Sequence, residues 1–149
     1  MDATRILLVE DNDLDAELTL AALTAAGVGD GVLRVGDGAE ALDYLFRRGA
    51  FAARTGGQPL LVLLDLKMPK VDGIEVLRQV KAHPELRTIP IVVMTSSMEE
   101  RDIVESYRLG VNAYVVKPVD YDQLADAVKQ IGLFWIRVNE PPVGSVRRK

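Results

Sequence analysis

Four short apolar runs decide what this chain can fold into: Ile6–Val9 (ILLV), Leu60–Leu64 (LLVLL), Ile91–Met94 (IVVM) and Tyr114–Val116 (YVV). None alternates with polar residues. An unbroken apolar run suits a strand covered on both faces, as in a parallel sheet. A weaker fifth run is Val32–Val35 (VLRV). Between the runs, apolar residues recur at helical spacing. Leu14, Leu18, Ala21, Ala22 and Ala25 can share one face, as can Ala41, Leu42 and Leu45. Ile74, Leu77 and Val80 form a third stripe, and Ile103, Val104 and Tyr107 a fourth. The last runs from Leu124 through Val128, Ile131, Phe134 and Trp135 to Val138. Strands alternating with helices predict a (βα)5 order ending on a helix. That is an α/β fold, an open parallel five-stranded sheet with helices on both faces.

Helix starts are marked by Asp37, and by Asp72, Ser97 and Asp120, each of these three with Glu or Gln three residues later. Stops fall at Gly27, Gly49, Pro84 and Gly110. Residues 49–59 exceed the usual connection length and read as a flexible surface loop with Phe51 as an anchor. Residues 1–138 make one domain. Residues 139–149 hold Pro141, Pro142, Gly144 and the basic end Arg147-Arg148-Lys149, and read as a disordered, solubilising tail.

Composition narrows the chemistry. The 149 residues include no cysteine and one histidine, His83, so thiolate zinc sites, cysteine nucleophiles and multi-histidine metal centres are excluded. A net charge of −4 argues against a nucleic-acid-binding face. No run of about 18 apolar residues is present, so no membrane span is expected. Met1-Asp2-Ala3-Thr4 lacks the basic start of a signal peptide, and the expected location is cytoplasmic. Gly27-Val28-Gly29-Asp30-Gly31 follows a helix instead of the first strand, so it is no dinucleotide fingerprint.

Chemistry collects where strands end. The first strand runs into Glu10-Asp11, the third into Asp65, the fourth into Thr95-Ser96-Ser97 and the fifth into Lys117-Pro118. In an open α/β sheet, ligands bind outside the carboxyl ends of the strands, where strand order reverses. Three carboxylates drawn together repel unless a proton or a cation neutralises them. Oxygen donors without His or Cys point to Mg²⁺, or to Mn²⁺ in its place. An aspartate can accept a phosphoryl group. Such transfer relies on positioning and charge neutralisation, which a cation, a lysine and a hydroxyl can supply.

The run Asp65-Leu66-Lys67-Met68-Pro69-Lys70-Val71-Asp72-Gly73 resembles the D-x-x-M-P-x-x-D-G of bacterial response-regulator receiver domains. Glu10-Asp11 resembles their acidic pair, and Thr95-Ser96 their Thr/Ser position. Gly110-Val111-Asn112-Ala113-Tyr114-Val115-Val116-Lys117-Pro118 resembles their G-A-x-x-Y-x-x-K-P. The match covers about residues 4–135. It implies a flavodoxin-like fold with Asp65 as phosphoacceptor from a histidine kinase. It also implies Mg²⁺ held by Glu10, Asp11, Asp65 and the backbone carbonyl of Lys67. Thr95 and Lys117 would bind phosphoryl oxygens, Tyr114 would be an aromatic switch coupled to Thr95, and the Lys117–Pro118 bond would be cis. Glu10 stands where many relatives carry Asp. Such a protein catalyses only its own phosphorylation and dephosphorylation and is not an enzyme in the metabolic sense.

The long loop at 49–59, Leu86-Arg87-Thr88-Ile89-Pro90, Ser106-Tyr107 and Phe134-Trp135 resemble the stand-alone regulators paired with bacterial phytochrome histidine kinases. Six of the eight residues from Ile131 to Val138 are apolar. One core stripe cannot hide them all. The expectation is a homodimer through the C-terminal helix using Phe134 and Trp135, with output through contacts to a downstream protein. Asp13 and Asp15 read as surface charges, and His83 has no assigned role. Three rivals are weaker. A phosphatase with an aspartyl nucleophile would want an acid where Lys67 stands. A flavin carrier would place a phosphate beside Glu10-Asp11, which would repel it. A phosphorylation-independent pseudo-receiver would lack a site residue.

Overall fold

The computed structural model describes residues 3–147. Met1, Asp2, Arg148 and Lys149 lie outside them, and with them part of the N-terminal segment and of the basic tail. The chain alternates strictly: β1 Ile6–Val9, α1 Asp13–Ala25, β2 Val32–Val35, α2 Gly38–Phe46, β3 Leu61–Leu64, α3 Gly73–Ala82, β4 Ile91–Thr95, α4 Glu100–Leu109, β5 Ala113–Val116 and α5 Tyr121–Leu133. A 3-10 turn at Gly49–Phe51 follows α2, and a π-helical segment, Phe134–Val138, continues α5. All strand pairs are parallel, in the order β2-β1-β3-β4-β5. From β1 the chain steps outward to β2, then crosses back to β3. The order therefore reverses between β1 and β3, and the expected flavodoxin-like (βα)5 sheet is the one observed.

The sheet divides its side chains by parity. Leu7 and Val9 of β1, Val62 and Leu64 of β3, and Ile91 and Val93 of β4 face one core with Ala41, Leu42 and Leu45 of α2 and Val76, Leu77 and Val80 of α3. Ile6, Leu8, Leu61, Leu63, Val92 and Met94 face the other, with Ala16 and Leu23 of α1 and Leu124 and Val128 of α5. Period two along a strand sends alternate residues to opposite faces. Both faces are covered, so the strands need no polar alternation. Each fully buried Leu or Ile adds roughly 1.5–3 kcal/mol of hydrophobic stabilisation.

Asp37, Asp72 and Asp120 cap α2, α3 and α5, accepting from the backbone N–H of Glu40, Glu75 and Gln123. Ser97 departs from its expected capping role. The cap position is Glu99, and the Ser97 hydroxyl donates to Asp102 at 2.5 Å. Its oxygen accepts the Glu99 N–H at 3.3 Å, one residue short of the helix, while its hydrogen goes to the buried acid in the first turn of α4.

Two other expectations are corrected. The loop at 49–59 is tied down. Phe51 does anchor it, edge-on to Tyr44 at 5.1 Å, while Arg54 stacks over the same ring at 4.0 Å. Arg47 donates to the carbonyls of Arg54 and Gly56 at 2.9 and 2.5 Å. The tail, as far as residue 147, folds back instead of trailing. Gln58 and Ser145 form a parallel bridge, with Gln58 N–H on Gly144 O and Val146 N–H on Gln58 O, both at 2.9 Å. Arg5 Nε donates to Arg147 O at 3.2 Å. Backbone pairing offsets the ordering entropy that proline-rich composition alone cannot. A third correction concerns Pro118. No cis peptide bond occurs among the described residues, so Lys117–Pro118 is trans, the isomer favoured intrinsically even before proline.

Candidate functional site

The carboxyl edge of the sheet is assembled by continuing its ladders one residue too far. Beyond β1, Glu10 N–H still reaches Val35 O; beyond β3, Asp65 N–H reaches Val9 O, both at 3.1 Å. Beyond β5, Lys117 N–H reaches Thr95 O at 2.7 Å. The backbone is thus held by the sheet while each side chain leaves it at the same edge. Gly73 closes the site from below. Its N–H bonds Leu66 O at 2.9 Å, and a Cβ there would collide with the Asp65 carbonyl oxygen. Only glycine lets α3 start so close to that strand end.

Lys117 is the hub. Its Nζ donates to Glu10 Oε1 at 2.7 Å, Asp15 Oδ2 at 3.0 Å and Asp65 Oδ2 at 3.3 Å. Glu10 and Asp65 are buried, while Asp11 is exposed beside them. One carboxylate oxygen from each of Glu10, Asp11 and Asp65 lies within 4.8 Å of the others. Burial raises the Glu10 pKa above its ordinary value, and the Lys117 ammonium opposes that rise without cancelling it. Burial alone would lower Lys117. The carboxylates of Glu10, Asp65 and Asp15 outweigh it and hold the ammonium above the ordinary lysine value. Four carboxylates around one lysine leave negative charge in excess. That excess, on oxygen donors alone, fits a hard divalent cation.

Thr95 ends β4 fully buried, and its Oγ1 accepts from Ser97 N–H at 3.4 Å. Lys67 N–H reaches Asp65 Oδ1 at 3.5 Å. The Lys67 side chain turns the other way, its Nζ 3.3 Å from Asp102. Tyr114 is half-buried on β5 and donates its hydroxyl to Ser97 O at 3.0 Å. Glu10, Asp11, Asp65, Lys67, Thr95, Tyr114 and Lys117 are thus gathered at one edge. Phe134 and Trp135 are not. They lie beyond α5, edge-to-face at 5.0 Å, near the α1–β2 turn, where Arg137 donates to Gly27 O.

The structure adds residues that sequence reasoning missed. Asp15, expected as a surface charge, reaches Lys117. Its place in the first turn of α1, just after the acidic pair, was the available signal. Asp13, also expected at the surface, is exposed but pairs with Arg34 at 2.9 Å. Arg34 further bonds the Glu10 carbonyl, from Nε at 3.0 Å and Nη2 at 2.9 Å. A cation inside an apolar run was its signal. Asp102 had none, because its partners Ser97 and Lys67 come from two other loops.

Known proteins with this architecture agree. The family described as the response regulator receiver domain matches residues 6–129. Response regulator Rcp1 of Synechocystis sp. is 38% identical over 131 residues, covering 88% of each chain. The solved structure of its Mn²⁺-bound form superposes with a TM-score of 0.86, at 37% identity, covering 93% of this chain and 98% of that one. The phosphorylated cyanobacterial phytochrome response regulator RcpA superposes with a TM-score of 0.87 at 43% identity, covering 94% of this chain and 99% of that one. The bacteriophytochrome response regulator RtBRR is 56% identical, with a TM-score of 0.75 and coverage of 96% and 86%. The motifs read along the sequence, the reversal of strand order beneath them and these likenesses converge on one conclusion: this chain belongs to the response regulator receiver domain family.

Proposed function

We propose that this protein receives a phosphoryl group on Asp65 from a histidine kinase of the phytochrome type and signals through protein contacts. One observation carries the reading: Asp65 shares a 4.8 Å cluster with Glu10 and Asp11 while Lys117 contacts both Asp65 and Glu10. An Asp65 carboxylate oxygen bonds to phosphorus as the P–N bond of phosphohistidine breaks, and the imidazole leaves. Glu10, Asp11, Asp65 and the Lys67 carbonyl would hold Mg²⁺, which supplies neutralisation of phosphoryl charge when bound. Lys117 adds the second positive charge. Thr95 moves to donate its hydroxyl to a phosphoryl oxygen, leaving the Ser97 amide. Tyr114 follows because its hydroxyl is tied to Ser97 O. The acyl phosphate shifts an existing equilibrium in the α4–β5–α5 face.

The phytochrome-type kinase is supported by likeness to RcpA and RtBRR, which are themselves phytochrome and bacteriophytochrome response regulators. The reading places the protein in the cytoplasm, with its kinase. It includes a homodimer through the C-terminal helix, supported by Phe134 and Val138, 46% and 67% exposed, with Trp135 half-buried behind Phe134. Sedimentation at tens of micromolar, a range where roughly micromolar affinity registers, is expected to show a dimer; a monomer overturns that part.

Intact mass after incubation with acetyl phosphate and Mg²⁺ tests the chemistry. One hydroxylamine-labile phosphoryl adduct is expected, absent in Asp65→Asn and absent in EDTA. No adduct, followed by no transfer from a phytochrome-type kinase, overturns the reading in favour of a phosphorylation-independent interaction module.

A further inference from the structure

The turn that carries Glu10 and Asp11 is gripped from the neighbouring strand. Arg34 stands opposite Leu8 in the β1–β2 register. Its side chain runs along the sheet to the site edge. Nε and Nη2 close as a fork on the Glu10 carbonyl, at 3.0 and 2.9 Å, and Nη1 meets Asp13 Oδ1 at 2.9 Å. One guanidinium thus spans the turn from residue 10 to residue 13, and Asp11 lies between its two anchors. Asp11 is the exposed member of the acidic cluster, so the backbone on either side must set its place. A planar guanidinium can close two donors on one carbonyl and still reach Asp13 with a third nitrogen; an ammonium has no such fork.

We propose that Arg34 is a positioning residue for the divalent cation, holding Glu10 and Asp11 at ligating distance from Asp65. This rests on the metal-assisted reading above. The sign of its effect separates the clamp from plain electrostatics. A cation near a cation site repels the metal, so if Arg34 acted through charge alone, removing it would tighten metal binding. As a clamp, its removal weakens binding, by about tenfold or more, as is typical for residues that orient metal ligands.

Calorimetric titration with Mg²⁺ and with Mn²⁺ decides. The unmodified chain is expected to bind one ion, Arg34→Met about tenfold more weakly, and Arg34→Lys in between. Thermal unfolding in EDTA reports any general loss of fold. Should Arg34→Met fail to fold, Arg34→Lys carries the test, with weaker binding still expected. In acetyl phosphate reactions, Arg34→Met is expected to raise the half-saturating Mg²⁺ and keep the maximal rate, a split that mere destabilisation does not produce. Unchanged or tighter binding in the Arg34 variants overturns the clamp. No binding by the unmodified chain overturns the metal reading itself, and the clamp with it.

Discussion

Two lysines at opposite ends of the sheet are both partly buried and sit in opposite electrostatic worlds. Lys117, at the carboxyl edge, touches three carboxylates. Among the described residues, Lys81, near the end of α3 at the amino edge, donates to neutral oxygens alone: Arg87 O and Ile89 O at 2.9 Å and Asn112 Oδ1 at 3.1 Å. The carboxylates hold Lys117 above its ordinary value, whereas burial pushes Lys81 down to about 8. Dipoles satisfy an ammonium's donors without neutralising its charge. The amino edge therefore uses a lysine as a staple, joining the end of α3 to the segments that lead into β4 and β5. The carboxyl edge keeps one as a charge among carboxylates.

Replacing each lysine by methionine should separate the two roles most sharply. Lys117→Met is expected to slow adduct formation from acetyl phosphate roughly a hundredfold, the usual cost of losing a donor to a developing anion. Lys81→Met should leave that rate within about twofold. Equal slowing of both would erase the distinction. In urea unfolding, Lys81→Met is expected to cost about 1–3 kcal/mol, because Arg87 O, Ile89 O and Asn112 Oδ1 lose their shared donor. A neutral result would mean those oxygens find other partners.

The smallest effect is in pH. Lys81 is depressed to about 8 in the folded chain against an ordinary 10.5. Between those values the unfolded chain holds more protons, so this lysine's contribution to stability rises with pH, on the order of 1 kcal/mol once its three acceptors are allowed for. Lys117 has the opposite sign. Its contribution is complete below 10.5 and is lost as pH climbs through the raised folded value. Unfolding free energies of the unmodified chain and Lys81→Met, measured from pH 7.5 to 10, should diverge through that window. Parallel curves would remove Lys81 from the account.

Much of this was legible in residue order. The apolar runs gave the strands to within a residue, because a sheet covered on both faces tolerates no polar alternation. The edge cluster was legible because strand ends in such a sheet share one side, so Glu10, Asp65, Thr95 and Lys117 could be placed together without coordinates. What stayed hidden depends on reach. Asp15 and Arg34 act through side chains crossing from neighbouring elements, and periodicity says nothing about where a side chain's tip lands. Asp102 meets Ser97 and Lys67 by the same route. The loop and tail misled for another reason. Gln58 and Ser145 pair through backbone, and backbone pairing across 87 positions leaves no pattern in residue types.

The tail also has a consequence in time. The contact between Arg5 and Arg147 joins residues 142 positions apart. It closes almost the whole chain into one loop, which costs more chain entropy than any local pairing and gains little until the sheet exists to receive it. The tail is therefore expected to dock late in folding, after the rate-limiting barrier. Cutting the chain before residue 139 should leave the refolding rate nearly unchanged and make unfolding faster. With that outcome, the strap at the amino edge is a brake on leaving the native state and plays no part in finding it.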